Sequence, residues 1–160
     1  MFKLYGRTGA GSAAVEALLQ EMALDWRFET VEKGPDGKAP QSYIENIHPL
    51  GQVPALGLPD GSAMTESAAI MIYLADLKPG FAPALTAANR GRYLGLMLHL
   101  ATSTYNADLR VFYAGRYSIA EGAAEGISTA AKAVLARDCE VLSRALGDGP
   151  YFLGQQFSAL

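Results

Sequence analysis

The sequence has 160 residues, which suffices for one domain or two small ones at roughly 150 residues per domain. Half of the residues are hydrophobic and 18% are charged, which excludes an intrinsically disordered chain. The net charge is −3 and no basic cluster is present, so the composition argues against nucleic-acid binding. A single cysteine, Cys139, excludes an internal disulfide, a cysteine zinc site and a C-x-x-C redox pair.

The sequence shows neither an apolar leader segment nor a membrane-spanning stretch. The longest uncharged segment, 93–107, contains His99 and several hydroxyl residues, and it is too short and too polar to cross a bilayer. A lone cysteine suits a reducing compartment. We therefore expect a cytoplasmic protein without membrane association.

The first eighty residues alternate strand and helix patterns. A short β-type run, Phe2–Tyr5, precedes a glycine-rich turn, and a helical pattern opens at Ser12, a residue type favoured at the N-cap. The other elements predicted in this half are a strand over 26–31, a short helix around 43–47, a hairpin of 53–56 with 63–64, and a helix over 66–77.

The second half has no strand pattern. The spacing predicts one long helix over 86–116 and an alanine-rich helix over 122–146, which a Gly-Asp-Gly-Pro segment ends. A Lys-Pro-Gly linker at 78–80 separates the halves. The sequence thus predicts a small α/β domain, residues 1–79, followed by an all-α domain, residues 80–160.

Two segments resemble the glutathione transferase family: NIHPLGQVPAL at 46–56 and DGSAMTESAAIMIYLA at 60–75. The opening FKLYGRTGAGSAAVEALL is similar to the first strand and helix of the same domain. The resemblance, which is to cytosolic transferases of bacterial type, implies a thioredoxin-like N-terminal domain of order β-α-β-β-β-α. An all-helical C-terminal domain follows it. The match is close over the first half and loose over the second.

The resemblance also implies a glutathione site. Val53 would pair its main chain with the peptide, as an added strand does, beside a cis bond to Pro54. Ser67 would take the γ-glutamyl carboxylate at a helix N-terminus, Glu66 the ammonium, and Gln52 would reach toward the glycine end. The residues alone leave plainer alternatives open: Pro54 as an ordinary trans proline, and Thr65 as a simple helix cap.

Thiol activation is assigned less sharply. The family places a tyrosine, serine or cysteine near the end of the first strand or the start of the first helix, and the candidates here are Ser12, Thr8 and Tyr5, in that order. The alternative for Ser12 is a purely structural N-cap. Without a cysteine in the first half, the thiol-reductase branches of the family are excluded. Arg7 either adds positive potential near the thiolate or lies in solvent.

The electrophile pocket is expected on the long helix of the second half. Asn106, Arg110, Tyr113 and Tyr117 are spaced to share one helix face, and tyrosines beside an arginine suit a partly apolar electrophile that develops negative charge. The alternative is an amphipathic face packed on the first domain. His99 is expected to be a packed histidine without a triad or metal partner.

The final residues, FSAL at 157–160, resemble the start of a buried family helix, and the sequence stops one residue before the acidic member of its capping box. We therefore expect the all-α domain to be incomplete relative to the family. The predicted function is a glutathione transferase, a dimeric detoxification enzyme that uses glutathione as co-substrate and requires no metal or tightly held cofactor. The alternative is a non-catalytic, transferase-like binding or assembly module.

Overall fold

The computed structural model describes residues 1–160, which form two compact units. The first comprises Met1–Ala82 with Ala159, and the second comprises Pro83–Ser158 with Leu160. The predicted linker lies close to this division. That the units act as a glutathione-binding domain and an incomplete all-α domain remains a prediction.

The first unit contains four strands and three helices. Their bounds are β1 Phe2–Gly6, α1 Ser12–Glu21, β2 Trp26–Thr30, α2 Gln41–Asn46, β3 Ala55–Gly57, β4 Ala63–Thr65 and α3 Ser67–Asp76. This is the predicted order, with the short helix α2 before β3. The predicted start of β3 at Val53 is wrong: the strand begins at Ala55, after Pro54, which has no N–H to offer a ladder.

The strands form one sheet of order β2-β1-β3-β4, in which β1 is parallel to β2 and antiparallel to β3. Alternation along β1 sends successive side chains to opposite faces. Leu4 joins the apolar cluster built with α1 and α3, whereas Tyr5 joins a second cluster with Tyr43 of α2. The sheet is therefore covered on both faces, and the turns at its edge are left to carry the candidate site.

The second unit is helical. Its elements are α4 Arg90–His99, a π-helical turn Leu100–Thr104, α5 Tyr105–Phe112, a 3₁₀ turn Ala114–Arg116 and α6 Ala123–Leu146. No helix of the protein combines the length and apolar character needed to cross a membrane.

The single helix predicted over 86–116 is wrong at both ends. Only short turns precede Arg90, and regular helix stops at Phe112, where Tyr113 takes the non-helical angles φ −127° and ψ 35°. Gly115, a poor helix former, follows. Helix α6, in contrast, begins directly after Gly122 and ends before Gly147, as predicted.

Candidate functional site

Ser12 is the first residue of α1, and its hydroxyl points back to the turn before the helix. The hydroxyl donates to the Arg7 carbonyl and accepts from the Arg7 amide, both at 3.2 Å, and Ser12 is only 1% exposed. Gly11 occupies the N-cap position and no side chain caps the helix, so the prediction that Ser12 is the N-cap is wrong. The hydroxyl hydrogen of Ser12 is instead used in the hydrogen bond to the Arg7 carbonyl, within the turn.

Gly6 lets β1 and α1 approach this closely. A Cβ at Gly6 would lie 2.8 Å from the Cβ of Ser12 and 2.7 Å from the Cζ of Phe28, both closer than real Cβ contacts. The absence of a side chain at the end of β1 therefore leaves the room that this close approach requires.

The other two hydroxyl candidates lie in different surroundings. Tyr5 is buried and its ring packs against Tyr43 with centroids 5.5 Å apart. A hydrogen bond with Tyr5, and then one with Glu29, raises the pKa of Lys3. Thr8, in the β1–α1 turn, is exposed, and it is the only one of the three candidates whose side chain is open to solvent.

Arg7 is partly buried beside the same turn. Its Nε donates to the carbonyl of Val31 at 3.0 Å, but its Nη2 is shielded from solvent and has no hydrogen-bond partner. The phenol of Tyr43 donates to the Gln52 carbonyl at 2.7 Å. Burial raises the pKa of Tyr43 to about 12, and the positive charge of Arg7 acts in the opposite direction. Arg7 thus lies within electrostatic range of the tyrosine that holds the Gln52 loop.

The loop before β3 is held in place by hydrogen bonds between its own residues. The Nδ1 of the buried His48 accepts from the Leu50 amide at 3.2 Å, and its carbonyl accepts from the Gly51 amide at 2.8 Å. The Val53–Pro54 peptide bond is cis, as the motif predicted. Because the β1–β3 pairing covers only Ala55 to Gly57, the main chain of Val53 is not used by the sheet.

Glu66 holds an unusual backbone conformation at the start of α3. It occupies the N-cap position with φ 69° and ψ 111°, angles that are costly for a residue with a Cβ. No side chain caps α3, so the alternative in which Thr65 is a simple helix cap is wrong; Thr65 ends β4. Ser67 is the first helical residue, and the free N–H groups here can donate hydrogen bonds to an anion.

The predicted aromatic stripe of the second unit does not form one helix face, because the helix stops before Tyr113. Three of its members still meet: Arg110 donates to the Asn106 carbonyl at 3.0 Å and stacks 4.7 Å over the ring of Tyr117. Tyr113 instead stacks with Arg116, at 3.9 Å. The segment therefore carries two arginine–tyrosine pairs.

Sequence reasoning missed a buried carboxylate in the second unit. Asp138, which is fully buried, accepts from the Ser103 hydroxyl at 2.5 Å and from Arg137, and its Oδ2 lies 3.8 Å from the Nε2 of His99. The hydrogen bond from Ser103, before the charge of Arg137, holds the pKa of Asp138 below its usual value. No sequence signal joins positions this far apart.

This cluster differs from a nucleophilic triad. The serine and the imidazole both face the carboxylate, so the histidine is not placed to take the serine proton. The proximity of His99 to the buried carboxylate of Asp138 is a contact that the sequence did not predict. No group of three or more His, Cys, Asp or Glu side chains is placed to hold a metal ion.

Residues 12–77 match a family model described as the N-terminal domain of glutathione S-transferase. The glutathione S-transferase GstA of Escherichia coli O157:H7 is 30% identical over 166 aligned positions, which cover 98% of this chain and 75% of that protein. An uncharacterized GST-like protein of Escherichia coli K12, YncG, is 32% identical over 105 residues. That match covers 66% of this chain and 51% of YncG, so it spans about half of the relative.

A solved structure gives the same result for the fold. The chain superimposes with a TM-score of 0.87 on a glutathione transferase homologue from Sulfitobacter, at 26% identity over 99% of this chain and 76% of that one. That structure contains bound glutathione. The predicted fold class, a thioredoxin-like α/β region followed by a helical region, is confirmed.

Proposed function

The chain belongs to the glutathione S-transferase family, and we propose that it binds glutathione and activates the thiol for attack on a small electrophile. The observation that carries this proposal is the start of α3. There an exposed Glu66 is held at φ 69° directly before Ser67, at a helix N-terminus without a side-chain cap. Residues held in such unfavourable backbone conformations are concentrated at active sites and ligand-binding sites.

Glutathione would lie along the edge formed by these elements. Ser67 would bind the γ-glutamyl carboxylate through its N–H and hydroxyl, and Glu66 would bind the ammonium. Val53 offers main-chain groups that the sheet leaves unused, which suits pairing with the cysteinyl part of the peptide beside Pro54. Gln52 would face the glycine end.

The chemical step requires the thiolate, whose parent thiol has a pKa near 8.5 in solution. The Ser12 hydroxyl can donate to the thiolate only if its hydrogen bond to the Arg7 carbonyl breaks. Tyr5 is buried in the apolar cluster that contains Tyr43. Thr8 has a free hydroxyl in the turn, so we assign it the stabilising hydrogen bond, with Ser12 second and Tyr5 third. The thiol proton leaves to solvent, and the sulfur forms a bond to carbon. Either a leaving group departs with its electron pair, or an activated double bond opens and takes up a proton.

We assign the electrophile to the segment that carries Asn106, Arg110, Tyr113 and Tyr117. The two arginine–tyrosine pairs combine apolar surface with positive charge. Such a surface suits an electrophile that is partly apolar and gains negative charge as the sulfur attacks. Cytoplasmic detoxification by a homodimer is the role we propose for the whole protein.

One observation favours a second function, a binding module without turnover. The hydroxyl that the sequence favoured for catalysis, that of Ser12, is buried and hydrogen-bonded to the main chain of Arg7. If the Thr8 hydroxyl does not replace that of Ser12, the protein would bind glutathione without activating its thiol.

Calorimetric titration with glutathione tests the proposal. We expect binding that weakens roughly tenfold in Ser67→Ala, through loss of a charge-assisted hydrogen bond, and that is unchanged in Ser42→Ala, an exposed serine on α2. Absence of binding to a folded sample would refute the proposal. Binding without conjugation of any of a panel of aryl halides and activated alkenes would instead favour the binding module.

A further inference from the structure

We propose that Asp138 is a positioning residue for the electrophile. Through Ser103 it holds the π-helical turn between α4 and α5, and that turn sets the direction in which the next helix presents Asn106. This inference rests on the proposed function and deepens it, since it concerns the segment to which the electrophile is assigned. Asp138 touches neither substrate in this scheme, and its effect reaches them only through the helix that carries the binding residues.

The first observation is that Asp138 is a charged group at a position that favours apolar side chains. It lies in the middle of α6 and is fully buried, and its Oδ1 accepts from Arg137, whose own side chain is mostly exposed. A buried carboxylate costs free energy unless it is paired, and apolar residues in place of a buried ion pair often leave a protein as stable or more so. The contacts of the second carboxylate oxygen therefore indicate what Asp138 does.

The second observation is that this oxygen is bonded to the π-helical turn. The Oδ2 of Asp138 accepts from the Ser103 hydroxyl at 2.5 Å. The Nε2 of His99, at the end of α4, lies 3.8 Å from the same oxygen and has no hydrogen-bond partner. A hydrogen bond to an ionised acceptor is stronger than one between neutral groups. Asp138 therefore anchors the turn itself rather than the imidazole beside it.

The third observation is the geometry of the turn. It spans Leu100–Thr104, and the Tyr105 amide donates to the Leu100 carbonyl, five residues back. Such a turn holds one residue more than an α-helical turn, and it is rare in proteins. It rotates every later side chain by about 100° around the helix axis, relative to an uninterrupted α-helix. Loss of its anchor would let the segment return to α-helical geometry and would turn the electrophile residues away from their present direction.

The fourth observation is that Asn106 couples the turn to the electrophile segment. Its Nδ2 donates to the carbonyls of Ala101 and Thr102, both at 3.2 Å, and both residues belong to the turn. Its own carbonyl accepts from Arg110, whose guanidinium carbon lies 4.7 Å from the centroid of the Tyr117 ring. A continuous series of contacts thus joins the buried carboxylate to one of the two arginine–tyrosine pairs.

The test measures conjugation of chlorodinitrobenzene, or of whichever aryl halide or activated alkene reacts fastest, at saturating glutathione. The affinity for glutathione is measured beside it by calorimetry. We expect Asp138→Ala and Ser103→Ala each to raise the KM of the electrophile about fivefold, with the affinity for glutathione unchanged. The double variant should be no worse than either single one, because both changes release the same turn. Ser103→Thr, which keeps the hydroxyl, should retain most of the wild-type behaviour.

Three further variants make the test specific. Glu140→Gln removes an exposed carboxylate from the same helix and should leave the KM unchanged. His99→Gln removes the imidazole but keeps the bond between Ser103 and Asp138, so it should also leave the KM unchanged. Asp138→Asn keeps the shape of the side chain and replaces a charge-assisted hydrogen bond by a neutral one, so a smaller rise is expected. If Asp138→Ala does not fold, Asp138→Asn and Ser103→Ala decide.

The outcomes separate the inference from the function on which it rests. An unchanged KM in the folded Ser103→Ala variant overturns the role of Asp138 and leaves the transferase function intact. A rise of the same size in His99→Gln also overturns it, because the pairing with the imidazole would then be what matters. Parallel losses of glutathione affinity and electrophile binding do likewise, since a merely structural residue behaves so. A wild-type protein that conjugates none of the electrophiles refutes the proposed function, and the inference with it.

Discussion

The hydroxyl of Ser12 is shared between the two main-chain groups of Arg7, lying 3.2 Å from its amide nitrogen and 3.2 Å from its carbonyl oxygen. This pair of hydrogen bonds closes the turn between β1 and α1. It also joins the residue that the sequence favoured for thiol activation to an arginine whose Nη2 is shielded from solvent and has no hydrogen-bond partner. Ser12 therefore holds the turn between β1 and α1 in place.

The role of Ser12 can be separated from that of Thr8. We expect Ser12→Ala to lower the free energy of unfolding by about 1–2 kcal/mol, because two main-chain groups of Arg7 lose their buried partner. Thr8→Val should leave stability unchanged and raise the pKa of the bound glutathione thiol, read from the ultraviolet absorbance of the thiolate. If Ser12→Ala raises that pKa without loss of stability, Ser12 is the thiol donor.

The positive φ of Glu66 predicts that a glycine at this position would increase the stability of the protein and weaken glutathione binding. Glycine adopts positive φ without the cost of a Cβ, so Glu66→Gly should stabilise the protein by about 0.5–1 kcal/mol. The same change removes the carboxylate proposed for the ammonium and should weaken glutathione binding. Ala23, at φ 50° after α1, is the matched control. Ala23→Gly should give a similar gain in denaturant titrations with glutathione affinity unchanged, and a loss of affinity there would contradict the assignment.

Tyr43 predicts an alkaline effect. Burial raises its pKa to about 12, above the ordinary value of 10.0, so the folded state favours the neutral phenol. The resulting stabilisation is complete below pH 10 and is lost as the pH rises toward about 12. Tyr43→Phe should flatten the stability profile in that range. It should also cost about 1 kcal/mol at neutral pH, since the Gln52 carbonyl loses its donor. An unchanged alkaline profile would refute this role.

Asp138 predicts the complementary effect in acid. Its folded-state pKa is lowered, first by the Ser103 hydroxyl, so the stabilisation is present above the unfolded value of 3.8 and disappears as the pH falls through the lower folded one. Asp138→Asn should lower the thermal midpoint at neutral pH and reduce the loss of stability below pH 3.8. Asp148→Asn, at an exposed position beyond α6, is the control. An equal acid dependence in wild type and Asp138→Asn would show that another group governs it.

Local patterns predicted most of the elements but not the end of α5 at Phe112. The start of α1 at Ser12 and the limits of α6 follow from signals that act within a few residues, namely small polar residues and glycines. The end of α5 does not, because the 106–117 spacing fits a continuous helix and only the observed turn at Tyr113 breaks it. The residues predicted to share one helix face therefore separate: Tyr117 stacks with Arg110, and Tyr113 stacks with Arg116.

The sequence by itself determined the family, the order of strands and helices, and the motif residues Val53, Pro54, Glu66 and Ser67, because these are contiguous and depend on local backbone conformation. Only the tertiary structure decided what each polar group does. Ser12 is withdrawn into the Arg7 turn, Asp138 is fully buried beside Ser103, and the Nη2 of Arg7 is left without an acceptor. Hydrogen-bond satisfaction and burial depend on residues distant in the chain, so no local pattern encodes them.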